Sequence, residues 1–294
     1  MSTAELVTDA AALRPLLFSV AYRMLGSVSD AEDVVQESFV RYQRALDEGA
    51  EVGSAKAYLS AIVTRLAIDE LRSARHRRET YVGTWLPEPL LADHEEDVAD
   101  RVEMDDTVSM AFLLLLETLS PVERAVFVLH DVFAYGYDEI AAIVGKTEAN
   151  ARQIASRARA RVADRCPRFE PSRAKRDELA GAFLEAVREG DVDRLESLLA
   201  ADVTMAGDGG GKAAAAAHPV AGRPRVARFL LGIWRQAQRH GVRVVPTEAN
   251  GCPAYLGIGP DGRVVNVLVL EIAPEGITSV RSVLNPDKLS RVPV

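Results

Sequence analysis

Along residues 147–162, Asn150, Arg152, Gln153, Ser156, Arg157, Arg159 and Arg161 share one side of a helical pattern. The opposite side is Ala151, Ile154, Ala155, Ala158 and Val162. Amide and guanidinium groups at this spacing can pair with base edges in a DNA major groove. Just upstream, Ile140, Ala141 and Val144 form the inner face of a shorter helix. Gly145 supplies the positive φ that ends a helix, and Thr147 can cap the next one. Two helices, a tight turn and a basic outer face predict a helix–turn–helix. A helical hairpin with a solvated basic face has the same pattern, so this stretch alone leaves both readings open.

Two further groupings stand out. Arg65, Arg72, Arg75, Arg77 and Arg78 run down a helix that begins near Lys56 and also carries Tyr58. They could track a phosphate backbone, or they could form a solvated basic helix end. Far downstream, Asp208 is followed by Gly209, Gly210, Gly211 and Lys212, which reads as a strained turn in close backbone contact.

The chain of 294 residues is long for one domain, and its 48% apolar content is enough for a core. The net charge of −8 argues against indiscriminate coating of DNA. Acids crowd into residues 93–106, while arginines cluster at 72–78 and 152–168, as suits a DNA reader that needs a partner for affinity. No stretch has the roughly 20 apolar residues of a membrane span, and no signal peptide is read at the N-terminus. Cys166 and Cys252 stand far apart without ligand spacing, so no metal or cofactor is expected; a cytoplasmic location with free thiols is the default reading, and a disulfide between the two stays open.

Residues 11–46 predict two helices, the second capped by Ser29 or Asp30. Its apolar side includes Val34, Val35 and Tyr42; its polar side carries Asp30, Glu32, Asp33, Gln36, Glu37 and Arg41. First-turn acids complement the helix dipole, but a polar face continuing this far also suits a protein-docking helix. Residues 81–106 read as a linker, in which Trp85, Leu86, Pro87, Glu88 and Pro89 are too apolar to be idle. A helix over 108–119, a capping box at Ser120–Glu123 and the helix–turn–helix complete a four-helix unit. After Pro171 the pattern is helices followed by an antiparallel sheet, an α+β domain with a curved sheet around a helix.

Taken in order, residues 30–42, 56–72 and 120–162 resemble the extracytoplasmic-function (ECF) sigma factors of bacterial RNA polymerase. The resemblance implies sigma region 2 at 1–80, a linker at 81–106 and sigma region 4 at 107–168. It implies that 30–42 docks on the polymerase clamp helices, with a further contact to the flap. It also implies that 56–78 reads the −10 element and that 147–162 reads the −35 element. The chain departs from the common family pattern at Thr64-Arg65 and at Asn150-Ala151, so no promoter sequence follows.

Residues 172–294 resemble the SnoaL-like extension of one sigma subgroup, an α+β cone of the ketosteroid-isomerase-like fold. Its marks are residues 85–89, Asp208 to Lys212, and Asn285, Pro286, Asp287, Lys288 and Leu289. In that subgroup the extension acts as a built-in regulator, which implies regulatory contacts among these residues and no separate anti-sigma protein. Cone folds also host catalysis or a small ligand, and Asp208 and His218 are the nearest titratable candidates. The expected function is therefore an ECF sigma factor without enzymatic activity. A one-component helix–turn–helix regulator with a ligand-binding cone, and an isomerase or hydrolase with a DNA-binding passenger, are the alternatives.

Overall fold

Leu17, Val20, Ala21 and Met24 recur at helical spacing and are fully buried in α1 (Arg14–Leu25). Gly26, at φ 65°, ends that helix and donates its N–H to the Tyr22 carbonyl. The structure, a computed structural model, describes residues 10–79, 81–91, 108–163 and 171–292, without the side chains of 74–79. In α2 (Val28–Asp47) the cap is Ser27, not Ser29 or Asp30: its hydroxyl accepts the Asp30 N–H at 3.2 Å. Ser27 is the last residue with extended backbone, which is what an N-cap needs. The long α3 (Ala55–Glu79) buries Leu59, Val63, Ala67 and Leu71 along one side.

Ser109 caps α4 (Met110–Leu116), which is shorter at both ends than the 108–119 expected. The predicted capping box opens α5 (Pro121–Phe127), which passes into a π-helical turn over Val128–Val132. There follow α6 (Tyr137–Val144), Gly145 at φ 65°, and α7 (Glu148–Ala163). These helices and α1–α3 form one compact unit. Arg124 joins its two parts from a buried position, donating to the carbonyls of Leu116 at 3.0 Å and Met24 at 2.6 Å. Glu117 lies 2.8 Å from the same guanidinium, and burial pulls its pKa down to about 9, so it stays charged at neutral pH.

The second unit comprises residues 80–93 and 167–294. Its helices are α8 (Arg173–Glu189), α9 (Val192–Leu198) and α10 (Arg223–Arg239), with a final turn α11 (Pro286–Leu289). Its strands are β1 (Leu199–Asp208), β2 (Val220–Ala221), β3 (Arg243–Ala249), β4 (Cys252–Ile258), β5 (Val264–Ala273) and β6 (Gly276–Val283). They form one sheet in the order β2-β1-β6-β5-β4-β3. The expected antiparallel sheet is corrected here: β1 runs parallel to β6, with Gly207 opposite Ser282 and Asp208 opposite Val283. Strands β3 to β6 are joined by tight turns and must alternate, whereas β1 meets β6 only after α10 and the whole meander. Asn250 at φ 54° and Gly251 at φ 69° make the β3–β4 turn, an Asn-Gly hairpin with positive φ at both central residues. Phe183, Leu195, Val226, Leu230, Leu270 and Val280 belong to the core between helices and sheet.

Candidate nucleic-acid interface and linker clasp

Thr147 accepts the Asn150 N–H at 3.3 Å, starting α7 where the sequence placed it. Ala151, Ile154, Ala155, Ala158 and Val162 are buried behind it. Gln153, Ser156 and Arg157 stand exposed in front, with Asn150 half-buried beside them. Arg152 pairs with Glu148 and lies 5.3 Å above the Tyr137 ring. Arg159 meets Asp131 at 2.6 Å, and Arg161 meets Glu123 at 2.8 Å. Among the described residues no ion pair engages Arg157. The front of α7 thus offers a guanidinium, an amide and a hydroxyl near its N-terminal half, flanked by arginines that are already oriented.

On α2, Asp33, Gln36, Glu37 and Arg41 are exposed, with Glu37 and Arg41 paired at 2.7 Å. Asp30 and Glu32 are half-buried near the helix start. Val40, 46% exposed, adds an apolar spot to this polar face. On α3 the predicted basic face divides. Tyr58 leans on Tyr42, ring centres 5.8 Å apart, and Arg72 pairs with Asp69 at 3.1 Å. Arg65 reaches across to α6, donating to the carbonyls of Ala142 and Ile143 at 2.9 Å each. Those are last-turn carbonyls with no partner inside their own helix. The side chains of Arg75, Arg77 and Arg78 lie outside the described residues.

In the second unit the three marked segments converge on Asp208. Its carboxylate is fully buried and accepts the Tyr81 hydroxyl at 2.5 Å, the Leu86 N–H at 2.9 Å and the Gly210 N–H at 3.0 Å. The Lys288 ammonium is 2.7 Å away, also bonds the Leu86 carbonyl, and sits 4.5 Å above the Trp85 ring. Burial, then the hydrogen bond to and the charge of Asp208, push the Tyr81 hydroxyl well above its usual range and keep it protonated. Asn285 donates to the Tyr81 oxygen at 3.0 Å and caps α11 by accepting the Asp287 N–H at 3.1 Å. Asp287 itself pairs with Lys212 at 2.6 Å. Leu289, the last residue of this turn, is buried.

The glycines fit this reading. A Cβ on Gly209 would stand 2.1 Å from the Ala213 carbonyl oxygen, and one on Gly210 would stand 2.3 Å from the Asn285 amide. Further along the linker, Leu86, Glu88 and Leu90 are buried, as are Pro87 and Pro89 between them. The Leu90 N–H reaches the Asn250 side-chain oxygen at 3.0 Å, and the Leu90 carbonyl accepts the Asn250 N–H at 2.8 Å. Tyr81 and Asn250 were not singled out from sequence. Asn250 was legible as the first residue of an Asn-Gly turn; nothing marked Tyr81.

A cavity of about 470 Å³ opens inside the cone. Phe183, Phe229, Trp234, Tyr255 and Leu268 line it, with Gln236, His240, Asn266 and Ser282 as polar groups. Neither Asp208 nor His218 lines it: Asp208 is committed to the clasp and His218 is exposed. The acid–base pair suggested for the cone therefore has no cavity to work in.

The chain matches the Sigma-70 region 2 family over residues 10–77 and the Sigma-70 region 4 family over 109–162. It is 38% identical over 303 residues to the ECF RNA polymerase sigma factor SigJ of Mycobacterium tuberculosis, covering 98% of this chain and 94% of that protein. The chain belongs to the ECF RNA polymerase sigma factors. A probable ECF sigma factor SigI of the same organism is 33% identical, over 94% of this chain and 92% of its own length. The crystal structure of the M. tuberculosis sigma factor SigJ superposes with a TM-score of 0.77 at 35% identity, covering 97% of this chain and 98% of that one. As an ECF sigma factor the chain binds core polymerase and directs it to promoters to begin transcription. Its fold is two helical sigma regions followed by an α+β domain with one mixed six-stranded sheet. The likeness spans both sigma regions and the extension together, which does not favour a one-component regulator. Among the described residues no helix is long and apolar enough to cross a membrane.

Proposed function

We propose that this sigma factor is governed by its own C-terminal domain, which grips the connection between its two DNA-reading regions. The observation that carries the reading is Asp208, a fully buried carboxylate holding Tyr81 and Leu86 of the linker. A charge is kept in such a place only when its partners are complete, so the clasp is either made or broken. Residues 81–91 belong with the cone, and the cone therefore governs the covalent segment between α3 and α4.

In this reading the exposed face of α2, from Asp33 to Arg41, docks on the polymerase clamp helices, and region 4 meets the flap. Tyr58, Arg72 and the arginines at 75, 77 and 78 serve the −10 element. Asn150, Arg152, Gln153, Ser156 and Arg157 read the −35 bases, with Arg159 and Arg161 on phosphate. Arg65 reaches DNA only after leaving α6. The protein works in the cytoplasm, has no catalytic activity of its own, and needs no separate anti-sigma protein.

The test is reconstituted transcription with core polymerase and a known target promoter, comparing the full chain with Asp208→Ala and Lys288→Met. Both variants should bind core polymerase like the parent and differ from it in promoter-directed transcript. Transcription equal to the parent in both would remove the clasp from regulation.

A further inference from the structure

The cone cavity shares its wall with the clasp, residue for residue. Gly207 lines the cavity and the next residue, Asp208, holds the linker; Leu284 lines it and the next residue, Asn285, bonds Tyr81. Both pairs lie at the same end of the parallel β1–β6 ladder, where the Leu284 N–H donates to the Asp208 carbonyl at 2.7 Å. The lining is chiefly apolar; the exposed Gln236 and His240 belong to it, but no Asp, Glu, Lys or Arg does. A charged guest would lose its hydration there with no carboxylate, ammonium or guanidinium to replace it. Ser282, 4% exposed, donates its hydroxyl to the Asn266 side-chain oxygen at 2.8 Å. That bond occupies the Asn266 oxygen and leaves its NH2 as the group the amide can offer, so the cavity presents a hydrogen to an acceptor. Gly257 faces Asn266 across β4 and β5, and a Cβ there would come within 3.3 Å of the Asn266 Cβ, so its bare backbone keeps this corner open. The Tyr255 hydroxyl is already spent on the Ala180 carbonyl. The cavity's volume falls within the range of small-molecule sites.

We propose that the cone binds an uncharged, largely apolar small molecule carrying one hydrogen-bond acceptor, and that its occupancy is transmitted through the ends of β1 and β6 to the linker clasp. The inference rests on the reading of the clasp as regulatory, but its binding half stands without it.

The chain's two tryptophans allow each half to be read separately, since Trp234 lines the cavity and Trp85 lies in the clasp. The probe is uncharged N-phenyl-1-naphthylamine, with anionic 8-anilinonaphthalene-1-sulfonate as its charged counterpart, added to full-length protein. In a Trp85→Phe variant, Trp234 emission should be quenched saturably at one probe per chain, with the anionic dye at least about tenfold weaker. Asn266→Leu should weaken a carbonyl-bearing competitor such as 2-acetylnaphthalene by about tenfold, the worth of one hydrogen bond. Gly257→Ile, with unchanged circular dichroism, should abolish probe binding by filling the cavity. In a Trp234→Phe variant, saturating probe should shift Trp85 emission. No saturable quenching, equal affinity for both dyes, or binding that survives Gly257→Ile would overturn the site. Binding without a Trp85 response would overturn the coupling. Neither result depends on polymerase, so failure here is distinct from failure of the clasp in transcription.

Discussion

Asp208 and Lys288 are 80 residues apart in sequence and 2.7 Å apart in the fold, with the carboxylate fully buried. Between them they hold the backbone of Leu86 on both sides of its Cα, Asp208 accepting its N–H and Lys288 donating to its carbonyl. The C-terminal domain thus grips backbone atoms of the linker, and Tyr81 and Trp85 close over the charges.

Removing one charge leaves the other stranded, so Asp208→Ala should destabilise the second unit by about 3–5 kcal/mol. Limited proteolysis of the full chain checks this: cleavage within 81–91 should become faster in the variant while α1–α3 stay protected. Equal cleavage rates would contradict the clasp.

Arg157 is exposed on the front of α7, and no ion pair occupies it among the described residues. Arg157→Ala should weaken promoter binding by about 1–3 kcal/mol if it meets a base edge. Arg161→Ala should lower affinity uniformly across sequences and reduce the salt dependence. Both are read from holoenzyme titrations on a target promoter and a scrambled −35 version. An Arg157 variant that discriminates the two as well as the parent rules out base reading.

Arg65 caps the last turn of α6 from α3. Arg65→Met should lower the melting temperature of the helical unit by a few degrees, equivalent to about 1 kcal/mol for one part-buried and one exposed bond. It should also ease separation of α3 from α6, seen as faster amide exchange at residues 140–146. A −10 defect with unaltered exchange would assign Arg65 to DNA alone.

Glu123 closes the cap of α5 and meets Arg161. Burial raises its pKa, but the bonds from the Ser120 N–H and hydroxyl and the nearby Arg161 and Arg157 prevail, and the net direction is down. A depressed pKa means stabilisation that is complete above the unfolded value, near 4.3, and is lost as pH falls through the folded value. Parent and Glu123→Gln should therefore differ in urea stability at pH 7 and converge at acidic pH. A gap that persists at low pH would point to shape rather than charge.

The helices were largely legible because amphipathic spacing and caps are local: Gly145, Thr147 and Ser120 all end or begin helices as read. Ser27 was missed in favour of Ser29 or Asp30, since several cap-forming residues stand in a row. The parallel β1–β6 pairing had no local signal, because direction depends on what lies between the strands. In the clasp, the Asp208 turn and the apolar linker were each visible, but not that one would receive the backbone of the other. Arg65 looked like part of a basic face because spacing cannot tell a solvated guanidinium from one bonded to a distant helix end.

Pro87 and Pro89 carry no N–H, and the donors on either side of them, at Leu86 and Leu90, are the two that Asp208 and Asn250 receive. The strap is therefore a gauge of chain length rather than of side-chain identity. Trp85 or Leu90 can drift to another apolar residue and leave the anchors filled. One residue inserted between 86 and 90 shifts every later atom by about 3.3 Å. It leaves one of two buried acceptors without its hydrogen, a change that substitution scanning would never sample.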